Sequence, residues 1–363
     1  MYLSTAHFSP TENPTVWNRD DTATGKLAQT WHFQSLDNDR YIIQQKLGGN
    51  VLANPVDEME RAHGLEFFLQ SAQMAAPYRD TDPFLMAGQT FKLYPNEEGD
   101  GSFWIVSTSV AQPNLGAGDD LNLYLAPWDS GWGQRQLWFL EPVEEYPSIT
   151  GAGRGPTRNA LSPIPAMTDY ARPQPDTTPE VLVGTTLLPS ALVNDPRLDA
   201  RQQARQSPWY LVRRYGFYRI GFYYDHSGTT RVVETQGITL GLTRTDVQSI
   251  TRTTGLSVTA EASFGFKGFG ASISTTYSQE LSTYTSQEVT ESSSKESTLQ
   301  RQFNEGYRSA LAIWYRRDRY ALLRMDGTVV LDWETTVRDD AAERGYAPDK
   351  PPVAIPGANP PAG

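Results

Sequence analysis

The sequence contains no cysteine, which excludes disulfide frameworks and thiolate metal sites and leaves no mark of a redox compartment. Its four histidines, His7, His32, His63 and His226, fall in no His-x-His or His-Glu-x-x-His spacing that would set two ligands on one metal. No metal or cofactor is expected. There is no run of five or six Lys/Arg and the net charge is −11, so the positive footprint that nucleic-acid phosphate requires is missing. No stretch approaches about 18 apolar residues, which excludes a spanning helix. Met1 to Pro10 has neither a basic nor an apolar region of the kind a secretory signal needs. A soluble protein, released or secreted without an evident signal peptide, is the expectation.

Catalytic motifs are missing as well. There is no Gly-x-Ser-x-Gly elbow and no phosphate-binding Gly-Lys-Ser/Thr, and Gly265 to Gly270 reads Gly-Phe-Lys-Gly-Phe-Gly, without dinucleotide-binding spacing. The acidic pairs Glu144-Glu145 and Asp339-Asp340 lie in polar surroundings and read as solvated surface rather than as a glycosidase pair. An enzyme is not expected.

What is present is 18 Tyr, 9 Trp, 14 Phe, 29 Gly and 25 Pro, with many Thr and Ser and few stretches of helical period. Aromatic and β-branched residues punctuated by turn formers favour short strands. A length of 363 residues exceeds one ordinary core of about 150. A mainly β chain of two domains is predicted.

The pattern Gln-x-aromatic-x-apolar occurs three times, as Gln29-Thr30-Trp31-His32-Phe33, Gln89-Thr90-Phe91-Lys92-Leu93 and Gln136-Leu137-Trp138-Phe139-Leu140. Tyr41-Ile42-Ile43 follows the first and Phe103-Trp104-Ile105-Val106 the second. Leu65-Glu66-Phe67-Phe68-Leu69 and Leu121-Asn122-Leu123-Tyr124-Leu125 precede the second and third, with Thr15-Val16-Trp17 as a weaker first copy. One such lobe cannot bury its own apolar side, so three must close together. An N-terminal β-trefoil over residues 1–146 follows, with Gln29, Trp31, Gln89, Phe91, Gln136 and Trp138 as its core motif.

This triplication resembles the ricin-type β-trefoil lectin domain. The resemblance implies sugar recognition by an acid, an aromatic plane and an amide, for which the third lobe offers Asp119, Asp120, Trp128 and Gln136. Trp17 with Asn18 and Asp20 is a second candidate. The position before each motif, where the family carries an amide, holds Ala28, Gly88 and Arg135, so galactose-type specificity is not implied. Trp128 and Trp132 also fit a role in packing on the second domain.

Residues 147–178 are rich in Gly, Pro, Thr and Ser and read as a linker or a long wrapping loop. A second β domain spans 179–345. The Pro-rich segment 346–363 reads as a disordered tail, idle or removable as a propeptide.

Within the second domain Leu256, Val258, Ala260, Ala262, Phe264 and Phe266 alternate with small, polar or charged residues, and after Gly268 the alternation resumes on odd numbers with Phe269, Ala271 and Ile273. Period two predicts an amphipathic hairpin, with Lys267-Gly268 at its tip. Arms of about eleven residues, tilted near 40°, would reach about 28 Å, close to a bilayer core. An ordinary half-buried hairpin of a β-sandwich shows the same alternation. A lone hairpin leaves its edges unpaired in lipid, so insertion would need several protomers to close one barrel.

Residues 235–254 and 274–298 flank this hairpin and are rich in Thr and Ser. Long polar strands around an amphipathic hairpin resemble the aerolysin-type pore-forming module. Leu187-Leu188-Pro189, Val193-Asn194-Asp195 and Ser207-Pro208-Trp209-Tyr210-Leu211-Val212-Arg213-Arg214-Tyr215 resemble the entry to the body of Bin-like binary insecticidal toxins, which pair the two modules in this order. Together the resemblances imply an elongated antiparallel β-sheet body, a cell-surface glycan or protein receptor, a target membrane, self-oligomerisation and a second toxin component. A non-lytic lectin or adhesin is the alternative.

Overall fold

A computed structural model describes residues 2–5, 14–36, 39–54, 70–71, 73–75, 88–109, 112, 114–126, 136–142, 155–254, 256–258, 264–266, 279–282 and 295–347. The described residues are mainly antiparallel strands, with α-helices at Ala23–Gln29, Ala200–Gln206 and Arg244–Thr254.

The N-terminal part is built from short strands. Tyr2–Thr5 pairs with Pro14–Trp17, Trp31–Ser35 with Arg40–Gln45, Phe91–Pro95 with Ser102–Ser107, and Asn114–Ala117 with Leu123–Ala126. Their inward residues Ile43, Leu52, Phe91, Ile105, Leu115, Leu123 and Leu125 form one core, against which Trp31 and Trp138 pack. Two motif copies share a contact: Trp31 Nε1 donates to Leu3 O at 3.0 Å and Trp138 Nε1 to Leu115 O at 2.9 Å. Each acceptor is the second residue of the first strand in its own pair.

The C-terminal part is a long sheet. Trp209–His226 pairs with Ser309–Arg324 from Tyr210 opposite Arg324 to His226 opposite Ser309, a ribbon of about 55 Å at roughly 3.3 Å per residue. Val181–Pro189 flanks one side and Val329–Tyr346 the other. The run Trp-Tyr-Leu-Val at its start and Ala-Ile-Trp-Tyr within its partner supply the aromatic and β-branched surface that such strands need. Residues 155–178 lie against this sheet: Thr157 N–H donates to Val183 O, Ile220 N–H to Asp176 O and Thr178 N–H to Tyr218 O, at 2.8–3.0 Å.

Head and body share a core. Leu36, Ile42 and Val51 of the head pack with Leu188, Leu192, Tyr210, Val212, Tyr320 and Trp333 of the body. At the same joint Gln34 Nε2 donates to Gln44 Oε1 and Pro208 O, each at 2.8 Å, and Ser190 Oγ donates to Gln44 Oε1 at 2.8 Å. Arg205 Nη2 donates to Leu47 O at 2.8 Å, and His32 Nε2 lies 2.8 Å from Ala204 O. Gly49, at φ +75°, permits the approach of helix Ala200–Gln206: a Cβ there would meet Ala200 O at 2.1 Å.

Candidate functional site

Two regions carry the sequence candidates. In the head, Asp119 and Asp120 stand together on the exposed turn before strand Leu123–Ala126. Asp120 Oδ2 accepts from Tyr124 Oη at 2.6 Å and Asn122 Nδ2 at 2.8 Å, and Oδ1 accepts from the Asn122 N–H at 3.1 Å. These bonds, the Tyr124 hydroxyl foremost, hold the Asp120 carboxyl below its ordinary range and raise the Tyr124 phenol. Gln136 is buried and donates to Ala126 O, at the other end of the same strand. Asp119 and Asp120 are therefore brought together, while Gln136 serves the fold. Trp128 and Trp132 lie outside the described residues. Gln29 of the first motif copy has a similar structural task, donating to Asn18 O and accepting from the Asp20 N–H.

In the body, strand Val232–Leu240 pairs with Lys295–Phe303 from Val232 opposite Phe303 to Leu240 opposite Lys295. Residues 241–294 thus begin and end at one end of a two-stranded ribbon, and they contain the amphipathic candidates. Leu256 stands opposite Phe266 and Val258 opposite Phe264. All four are even-numbered, so these two strands pair within the first run of the alternation, and the expected tip at Lys267-Gly268 lies outside the described residues. Ala260, Ala262, Phe269, Ala271 and Ile273 lie outside the described residues.

A correction falls on the upstream flank. The strand ends at Leu240, and Arg244–Thr254 is helical. Thr243 Oγ1 accepts from the Asp246 N–H at 3.1 Å and donates to Asp246 Oδ2 at 2.6 Å, a cap that starts the helix despite its Thr-rich composition. Ile250 is buried and Val247 half-buried against the main core.

The downstream flank is pinned at a turn. Gln279 to Ser282 closes with Ser282 N–H donating to Gln279 O at 3.0 Å. Leu281 enters the main core, 2% exposed. Arg214 donates to Leu281 O at 3.0 Å and to Ser282 O, while its guanidinium pairs with buried Asp318. Thr186 Oγ1 donates to Glu280 Oε2. Gly184 makes room, since a Cβ there would meet Glu280 O and Leu281 Cα at 2.8 Å. None of these anchoring residues is among the sequence candidates. The missed signal was Arg214 itself, a cation in phase with inward-facing Tyr210 and Val212, which therefore needs a buried acid.

Nearby, Asp195 accepts from Arg324 Nε and Nη2, both at 2.7 Å, and from Tyr210 Oη at 2.9 Å. Burial opposes its ionisation, but the bonds from Arg324, the Arg197 N–H and Tyr210 prevail and hold the carboxyl below its ordinary range. Burial raises the Tyr210 phenol. Among the described residues no group of three His, Asp or Glu is placed to hold a metal, and no helix is long and apolar enough to cross a membrane.

Residues 181–344 match the family described as Insecticidal Crystal Toxin, P42. The chain is 21% identical over 220 residues to the insecticidal crystal protein Cry35Ab1 of Bacillus thuringiensis, a span of 60% of this chain and 51% of that protein. It thus covers about half the length of this curated relative. The crystal structure of Cry35Ab1 matches with a TM-score of 0.67 at 17% identity, over 95% of this chain and 86% of the other, which shows a shared fold.

Proposed function

We propose that the chain is an insecticidal toxin of the Bin-like kind whose β-trefoil head binds a cell-surface glycan or protein receptor and whose body supplies strands to an oligomeric β-barrel pore. The observation that carries the reading is the ribbon Val232–Leu240 with Lys295–Phe303, which brackets the alternating segment. Extending that ribbon through residues 241–294 would add length without new connections, and barrel closure among protomers would pair its edges. The match of residues 181–344 to the crystal-toxin family supports the insecticidal reading. The recurring indole bonds of Trp31 and Trp138 support the trefoil. Asp119, Asp120 and Trp128 are the proposed sugar contacts, and a second toxin component is a partner in this reading.

Burial of Leu256, Val258, Phe264, Phe266, Phe269 and Ile273 in lipid would contribute on the order of 10 kcal/mol per protomer, at about 1.5–3 kcal/mol each. Deleting residues 259–270 is expected to leave cell binding intact and abolish dye release from midgut membrane vesicles. Retained lysis would remove the pore, and unchanged binding without lysis in the intact chain would point to the non-lytic lectin.

A further inference from the structure

The head has a face that none of the residues above uses. Strand Phe91–Pro95 lies between Arg40–Gln45 and Ser102–Ser107, and Leu137–Phe139 pairs with the far side of Ser102–Ser107. Register sets Arg40 opposite Lys92, Lys92 opposite Val106, Tyr94 opposite Trp104, Trp104 opposite Leu137, and Phe139 opposite Ser102. Alternation puts these residues on one side of the sheet, while Phe91, Leu93, Ile105 and Trp138 turn to the core.

A cleft of about 290 Å³ opens on that side, lined by Asp39, Arg40, Lys92, Tyr94, Thr108 and Gln112 among others. Lys92 Nζ donates to Asp39 Oδ2 at 2.7 Å, so a cation and an anion stand side by side at its mouth. Tyr94 is 44% exposed, and on the same side of the sheet, two strands away, Phe139 is 69% exposed. Among the described residues these are two of the six large apolar side chains left open to solvent, and with half-buried Trp104 and Leu137 between them they form an apolar strip of the kind that marks a contact surface.

We propose that this face docks the head on a zwitterionic bilayer, with one lipid headgroup in the cleft. The headgroup phosphate lies beside Lys92 and Arg40, and its ammonium against the Tyr94 ring and the Asp39 carboxylate. A zwitterion meets both members of the Lys92–Asp39 pair at once. An aromatic face is a good partner for a quaternary ammonium, and Tyr and Trp favour the membrane interface. Phe139 extends into the lipid beyond the headgroup. A chain with net charge −11 is repelled by anionic lipid, and a sugar ring would leave Phe139 unused. The inference rests on the membrane-acting reading above and supplies that protein with a lipid contact.

The test is co-sedimentation of the full chain with vesicles of pure phosphatidylcholine at physiological salt. The wild-type chain should pellet and be displaced by soluble phosphocholine. Tyr94→Ala and Phe139→Ser, both at exposed positions, should each weaken binding about tenfold or more, and Val329→Ser, at an exposed apolar position of the body, should not. Absence of pelleting, pelleting of both variants as strongly as the wild-type chain, a requirement for phosphatidylglycerol, or displacement by hexoses instead of phosphocholine would each overturn the proposal. Dye release from the same vesicles separates the two readings, because binding without release supports the docking face while counting against the pore.

Discussion

Arg214 Nη1 donates to the main-chain carbonyl of Leu281 at 3.0 Å, across 67 residues of sequence, and so joins the central sheet to the downstream flank of the alternating segment. The same guanidinium pairs with Asp318, whose side chain is 1% exposed. Leu281 buries its side chain in the core shared by head and body. In the proposed mechanism this contact holds the segment in its compact form and has to break before the ribbon extends.

Arg214→Met should therefore destabilise the compact fold by about 3–5 kcal/mol, because it leaves Asp318 buried with less compensation. Leu281→Ala should cost about 2–5 kcal/mol through the cavity it leaves. Urea titration checks both values. If the anchor restrains extension, Leu281→Ala also releases dye faster per bound molecule than the parent chain.

Asp195 gives a signed pH dependence. Its folded-state carboxyl is held below the ordinary value, so it contributes stability that is present above the unfolded pKa and lost as pH falls through the folded one. Stability should drop as pH is lowered from about 4, the ordinary carboxylate value. Asp195→Asn should flatten that part of the profile and lower stability at neutral pH, as measured by denaturant midpoints from pH 2 to 7 at about half-unit steps.

The shared core of Leu36 and Ile42 with Leu188 and Tyr210 predicts that head and body unfold in one transition. Gln34→Leu removes the donor to Gln44 and Pro208 and should cost about 1–3 kcal/mol for the polar groups left unpaired. Gly49→Val, which combines a positive φ with a collision against Ala200, should divide the single calorimetric transition into two.

The repeated indole contacts predict matched effects in the head. Trp31→Phe and Trp138→Phe each leave a strand carbonyl, Leu3 O or Leu115 O, without its donor, and should cost a similar amount of about 1–2 kcal/mol. Widely different thermal midpoints for the two variants would argue against equivalent lobes.

Much of the body was legible because strand signals there are strong. Trp209 to Val212 and Ile313 to Tyr315 are aromatic and β-branched, and they pair in the long central ribbon. In the head, Phe91 of the second Gln-x-aromatic motif lies in the core, and Trp31 and Trp138 of the other two pack against it. Helix Arg244–Thr254 was hidden because Thr and Ser are weak helix formers, and only the Thr243 cap and the packing of Val247 and Ile250 decide the matter. The pairing of Leu256–Val258 with Phe264–Phe266 was hidden because the alternation runs unbroken through both strands. The Gln279 to Ser282 anchor was hidden because one Leu among polar residues carries no period, and its partners Arg214 and Thr186 are distant in sequence.

The central claim is that residues 241–294 leave the compact body to build a pore. Since the chain has no cysteine of its own, Thr186→Cys with Glu280→Cys places two unique thiols where these side chains meet, and a short reducible crosslinker can join them. Dye release from midgut vesicles is the measurement. The account predicts that the crosslinked chain binds without releasing dye, and that reduction restores release together with detergent-resistant rings. Full release by the crosslinked chain would contradict it.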